Sequence, residues 1–185
     1  MQQSKFFNDT KELLKLYEDG ATFVAFDTET TGLKADKAKL LEIGAVSFNK
    51  DGVIGTFEQL INPCCPIPPE AERVNHISQE MVQDAPLEEQ VLPDFLSFIG
   101  NSVLIAHNAG FDLAFINTAL QRAGYNRLRN YTTDTLQLAR SVFPQLCSHT
   151  LQFLASYFKI EVHNAHRALD DAMVCKDFFI KCIQQ

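Results

Sequence analysis

The chain has 185 residues, enough for one compact core and too few for two. Hydrophobic residues make up 46% and charged residues 21%, the balance of a globular chain rather than a disordered one. The formal net charge is −7, which excludes a protein that coats nucleic acid through a broad basic face. No apolar stretch approaches the roughly 20 residues of a membrane helix, so no membrane is expected among the partners. Residues 1–15 resemble neither a secretory signal nor an Arg-rich transit peptide. The five cysteines, Cys64, Cys65, Cys147, Cys175 and Cys182, are odd in number and form no C-x-x-C pair, which suits reduced thiols in a cytoplasm.

Residues 4–19 set Phe6, Phe7, Leu13, Leu14, Leu16 and Tyr17 among charges, an amphipathic pattern that predicts a leading helix ended by Gly20. Residues 1–21 would then be an N-terminal helical extension and 22–185 the main domain. Residues 22–27 (TFVAFD) read as a buried strand. Residues 41–48 and 55–61 read as two more, antiparallel and turned by Asn49-Lys50-Asp51-Gly52. Residues 63–69 hold four of the seven prolines and must run extended over the surface. A helix is expected at 87–99, a strand at 103–106, a helix at 112–123 closed by Gly124, and helices at 150–158 and 168–183. Three antiparallel strands followed by strands alternating with helices give an α/β fold, a mixed central sheet flanked by helices.

Three places carry chemistry. Strand one ends Asp27-Thr28-Glu29-Thr30-Thr31-Gly32-Leu33. Residues i and i+2 of a strand share a face, so Asp27 and Glu29 aim side by side and Thr28 aims the other way. Two carboxylates that close repel unless one is protonated or a cation sits between them, and oxygen ligands suit Mg²⁺ or Mn²⁺. Gly32 lets backbone approach a ligand, and Leu33 is an apolar residue just beyond a charged site. The second place is His107-Asn108-Ala109-Gly110-Phe111-Asp112, between a strand and a helix, where α/β sheets build sites. Asp112 would be a third carboxylate, with His107, Asn108 and Phe111 lining the same cleft and Phe111 offering a stacking surface for a base. The third is His163-Asn164-Ala165-His166-Arg167-Ala168-Leu169-Asp170-Asp171. Five residues on one helix turn a side chain by about 140°. His166 and Asp171 therefore converge only if His166 lies in the loop before the helix. A histidine there suits a general base. Each place alone has an ordinary alternative: a solvated strand end, an Asp capping a helix, a satisfied structural histidine, an exposed histidine before a helix with acids in its first turn.

Together, Asp27-x-Glu29-Thr30-Thr31-Gly32, His107-Asn108-x-x-Phe111-Asp112 and His166-x4-Asp171 resemble, in order and interval, the three motifs of the DEDDh (DnaQ-like) 3′–5′ exonucleases. Within that superfamily the sequence is most similar to the proofreading epsilon subunits of bacterial DNA polymerase III. The resemblance spans 22 to about 181 and implies a ribonuclease-H-like fold. It implies two divalent cations, Mg²⁺ or Mn²⁺, held by Asp27, Glu29, Asp112 and Asp171, with His166 taking the proton from the attacking water. It implies release of nucleoside 5′-monophosphates from the 3′ end of single-stranded or frayed DNA. Thr30, Gly32 and Leu33 would meet the last nucleotide, Leu33 as a wedge, while His107, Asn108 and Phe111 would surround the scissile phosphate and sugar. Asn75-His76-Ile77-Ser78 is similar to the segment flanking the terminal base, with Asn-His where many members have His-Gly. A DNA polymerase is a possible partner. Since 185 follows directly on the last helix, a docking tail of the polymerase-subunit kind is not expected.

A ribonuclease trimming RNA 3′ ends would use the same chemistry, and the discriminator is how the site treats the 2′-hydroxyl. A catalytically silent nucleic-acid-binding or polymerase-binding domain is the reading from another class, and the presence of all four acids and His166 counts against it. The acidity is also local: residues 70–94 hold seven acids and one base. Lys34, Lys37, Lys39, Arg122, Arg127, Arg129 and Arg167 stand near the motifs as candidate phosphate contacts.

Overall fold

The computed structural model describes residues 5–163 and 166–185. Positions 1–4 of the expected N-terminal extension, and Asn164 and Ala165 of the third motif, lie outside the described residues.

The element order is α1 (Thr10–Glu18), β1 (Phe23–Thr30), β2 (Leu40–Asn49), β3 (Gly52–Leu60), α2 (Pro69–Asn75), α3 (Gln79–Val82), α4 (Glu88–Ile99), β4 (Val103–Ala106), α5 (Gly110–Arg122), β5 (Thr132–Asp134), α6 (Thr135–Val142), α7 (Leu151–Phe158) and α8 (Ala168–Ile183). The sheet runs β3-β2-β1-β4-β5. β1, β2 and β3 pair antiparallel, while β4 and β5 join in parallel, giving the expected mixed sheet. The Asn49–Gly52 turn is tight because Gly52 adopts φ 128°, which a side chain would resist.

Alternation along β1 splits the core. Val24 and Phe26 face α4 and α5, where Phe95, Phe115 and Ile116 are buried. Phe23 and Ala25 face α8, with Val46, Phe48, Phe178 and Phe179. Phe23 packs on Phe179 at 5.3 Å and on Phe48 at 5.7 Å between ring centroids. Each such buried ring contributes roughly 1.5–3 kcal/mol.

The leading segment differs from the sequence expectation. Its helix is only α1, capped by Asp9, whose carboxylate accepts from the N–H groups of Lys11 and Glu12. Phe6 and Phe7, read as helical, are extended instead. Phe7 N–H donates to the Thr132 carbonyl at 2.9 Å and Thr132 N–H to the Lys5 carbonyl at 3.0 Å. This segment bridges to β5 at Phe6↔Thr132 and satisfies edge groups of the sheet. Leu13 of α1 is buried in the same cluster as α8. Helix α6 and strand β5 were not expected. Among the described residues no helix is long and apolar enough to cross a membrane.

Candidate active site

β1 outruns its pairing with β4. That ladder ends at Ala25↔Ile105, whereas the ladder with β2 continues to Thr30↔Leu40. The last turns of β1 therefore edge a crevice where the strand order reverses, the place where open α/β sheets bind ligands. Asp27 and Glu29 follow Phe23 and Ala25 on the face covered by α8. Helix α8 carries Asp171 in its first turn. The carboxylate oxygens of Asp27, Glu29 and Asp171 come within 4.8 Å of one another.

Asp112 arrives from the other side of the sheet, in the first turn of α5. It does not cap that helix. Its Oδ1 accepts the Thr28 hydroxyl at 2.7 Å and the Thr28 backbone N–H at 3.0 Å. That N–H is available because β1 has left β4. So three of the four expected acids converge directly. Asp112 stands beside them with one oxygen engaged, and its charge is the largest acting on Asp27.

Burial and mutual repulsion outweigh the positive charge near these acids. Burial, then the charges of Asp112, Glu29 and Asp171, hold the Asp27 carboxyl well above the usual range. Burial and the Asp171 charge push Glu29 up to about 8, against a smaller pull from Arg167. Burial pushes Asp112 up to about 7 despite its bonds from Thr28. Burial also raises Asp171, opposed by the charge and the backbone N–H of His166. A hard divalent cation satisfies such an all-oxygen donor set, so the residues fit the ions that the motifs imply.

His166 lies outside α8, in a left-handed turn at φ 64°, two residues before Ala168. This is the placement that lets it approach Asp171. His107 is half-buried, and both ring nitrogens are engaged: Nε2 with the His149 carbonyl at 2.9 Å and Nδ1 with the Thr135 hydroxyl at 3.0 Å. A carbonyl only accepts, so Nε2 carries the proton. Burial lowers the His107 pKa, consistent with a neutral ring. Asn108 is also left-handed, at φ 66°, and its N–H donates to Asp134 Oδ1 at 3.0 Å. Asp134 simultaneously caps α6 through Leu136 N–H. The β5–α6 junction thus holds the second motif in place.

Two cavities flank the carboxylates. One, of about 560 Å³, is lined by Asp27, Asp171, His107 and Asn108 together with Arg140, Cys147, Ser148 and His149. The other, of about 370 Å³, is lined by Glu29, Thr30, Gly32, Leu33 and Phe111 together with Arg73, Val74 and Asn75. Leu33 is 86% exposed. Thr30 is held by its own hydroxyl bond to the Gly32 carbonyl at 2.8 Å. Asn75 is buried and anchors α2 to β1, its amide donating to the Thr30 carbonyl at 3.4 Å while its Oδ1 accepts from Ile77 N–H.

Four of the seven candidate phosphate contacts, Lys39, Arg122, Arg127 and Arg167, are engaged with other side chains. Arg122 forks onto Glu88 with both contacts at 2.7 Å, and Lys39 lies 3.7 Å from the same carboxylate. Arg127 donates to Gln121. Arg167 forks onto Glu42. The arginines that line the cavities are Arg140 and Arg73. Arg140 sits in a stretch, TLQLAR, whose apolar spacing is helical, a signal available from the sequence.

Comparison with known proteins agrees with this geometry. The family model described as an exonuclease matches residues 24–179. The chain is 45% identical over 163 residues to the DNA polymerase III subunit epsilon of Treponema pallidum, covering 87% of this chain and 76% of that protein. It is 40% identical to the PolC-type DNA polymerase III of Caldanaerobacter subterraneus, over 88% of this chain but only 12% of that protein's length. Exonuclease X in complex with 5′ overhanging duplex DNA superposes with a TM-score of 0.71 at 27% identity, covering 88% of this chain and 91% of that one. Exonuclease I superposes with a TM-score of 0.77 at 20% identity, over 87% of this chain and 41% of that one, which shows the shared ribonuclease-H-like fold. The chain belongs to the exonuclease family, and within it to the DnaQ-like 3′–5′ exonucleases.

Proposed function

We propose that the chain shortens single-stranded or frayed DNA from its 3′ end, releasing nucleoside 5′-monophosphates, in proofreading or repair. The observation that carries this reading is the convergence of Asp27, Glu29 and Asp171, buried enough to raise all three carboxyls. Those three, with Asp112, would hold two divalent cations, Mg²⁺ or Mn²⁺. When bound, such ions make a hydroxide available near neutral pH and stabilise charge on the phosphate and leaving oxygens.

The protein's own groups divide the remaining work. His166, in its turn beside Asp171, accepts the proton of the attacking water. The cavity of Thr30, Gly32, Leu33 and Phe111 receives the terminal nucleoside, with Leu33 wedged against the base and Phe111 beneath the sugar. Asn108 faces the scissile phosphate. His107 acts through position, pinning the strand end to the loop at His149. Arg140 and Arg73, one in each cavity, take the role of phosphate contacts.

The DNA preference is supported by relatives named as DNA polymerase III subunits and by a neighbour solved with DNA. The 45% identity to an epsilon subunit supports a DNA polymerase as partner. The start of the family match at 24 supports the division into an N-terminal segment, 1–21, and an exonuclease domain, 22–185. Five free cysteines suit the reducing cytoplasm. The test is digestion of 5′-labelled DNA and RNA oligomers, single- and double-stranded, with Mg²⁺, Mn²⁺ or EDTA. A one-nucleotide ladder on single-stranded DNA, absent in EDTA, is expected. Faster digestion of RNA would reassign the substrate, and a ladder in EDTA would remove the metals.

A further inference from the structure

β2 carries an acid that the reaction as described does not use. Glu42 is fully buried and stands directly across the ladder from Glu29, as Gly44 stands across from Asp27. Cross-strand partners share a face, so all four positions lie beneath the start of α8. Glu42 accepts three bonds there. Its Oε2 takes Arg167 Nε at 3.1 Å and the Ala168 backbone N–H at 3.0 Å, and its Oε1 takes the other arm of the Arg167 fork. Arg167 also reaches Glu58 on β3 at 3.4 Å. At Gly44 the fit is closer still, since a Cβ would overlap the Ala168 carbonyl carbon and the Leu169 nitrogen.

We propose that Glu42 is a positioning residue of the exonuclease site: clamped on Arg167 and Ala168, it fixes where α8 begins and so where Asp171 and His166 stand over Asp27 and Glu29. Gly44 admits the helix and Glu42 bolts its first residue. Arg167 is both the residue after His166 and the bridge to Glu42, so one contact sets the turn and the helix start together. Asp171 N–H bonds the Arg167 carbonyl at 3.0 Å, which passes the constraint to the third carboxylate. The fork has a second effect. It sets a positive charge against a buried carboxylate next to Glu29, so Arg167 offsets part of the push that Glu42 exerts on Glu29. Outer partners that orient ligands are worth about 10–100-fold in metal affinity or activity.

The proposal rests on the metal-site reading, and the experiment separates the two. Wild type, Glu42→Gln, Arg167→Gln and the double variant are compared in three ways on the same samples: melting in EDTA, Mn²⁺ titration by calorimetry, and steady-state hydrolysis. Glu42→Gln keeps the shape of a fully buried side chain, and Arg167, 30% exposed on its side chain, gives a second variant tolerant of change. The expected result is cooperative melting in all variants and kcat reduced by about 10–100-fold with KM within about threefold. Mn²⁺ affinity in Glu42→Gln should fall by at least about threefold. The double variant should lose no more than the worse single one, because the two residues act as a unit. Folded Glu42→Gln with wild-type Mn²⁺ affinity and kcat would overturn the proposal, as would single losses that multiply in the double variant. Absence of Mn²⁺ binding in wild type would instead bring down the metal-site reading.

Discussion

Thr28 gives both of its donors to one oxygen of Asp112: the hydroxyl at 2.7 Å and the backbone N–H at 3.0 Å. The bonds tie the start of α5 to β1 at the level of the site. They hold Asp112 beside Asp27 against the repulsion between them. Thr28→Val keeps the shape and removes the hydroxyl. Loss of a bond to a buried charged group costs about 1.5–3 kcal/mol. The expected outcome is a lower Tm together with a fall in kcat, measured by melting and by single-turnover hydrolysis. A valine variant with unchanged kcat would show that Asp112 needs no such support.

His166 is assigned the proton transfer. His166→Ala should lower kcat by roughly 10²–10⁴ with little change in Tm, because the residue stands in a turn outside α8. A loss below about tenfold in a pre-steady-state assay would take that role from it.

Leu33 is 86% exposed, so Leu33→Ala should leave stability within about 0.5 kcal/mol. Its effect belongs to substrate. We expect kcat/KM on a paired 3′ end to fall further than on a single strand, since a wedge matters most where a base must be parted from its partner. Equal losses on both substrates would contradict a wedge.

The acids predict an unusual pH dependence. Glu29 and Asp112 are pushed up to about 8 and about 7, from ordinary values of 4.5 and 3.8. Between those limits the folded metal-free protein holds protons that the unfolded chain has released. Their contribution to stability is therefore present below the ordinary values and lost as pH rises through about 7–8. The expected result is an EDTA-treated protein whose Tm falls from roughly pH 5 to roughly pH 8, inside the window these shifts define, and less so in Glu29→Gln. Mn²⁺ should restore more at the upper end, where no proton needs to be displaced. A larger Mn²⁺ effect at the lower end would contradict the shifts.

Much of this site was legible in the sequence because local periodicity carries it. Asp27 and Glu29 alternate on a strand, and His166 and Asp171 cannot share a helix, so the helix start at Ala168 follows from their spacing. What local pattern does not carry was missed. β5 is three polar residues, Thr132–Asp134, buried by their neighbours and not by their own hydrophobicity. Phe6 and Phe7 look amphipathic yet are recruited by the β5 edge. Arg167 and Arg122 read as phosphate contacts until their partners appear, 125 and 34 residues away.

Everything proposed for this chain depends on Asp27, Glu29 and Asp171 acting together on divalent cations. Calorimetric Mn²⁺ titration of wild type, Asp27→Asn and Asp171→Asn tests it most directly, with melting in EDTA to show that each variant folds. Wild type should bind with release of protons, and both variants should bind at least about tenfold more weakly. Relief of buried like charge should also leave both variants at least as stable as wild type without metal. Equal Mn²⁺ affinity in all three proteins would contradict it.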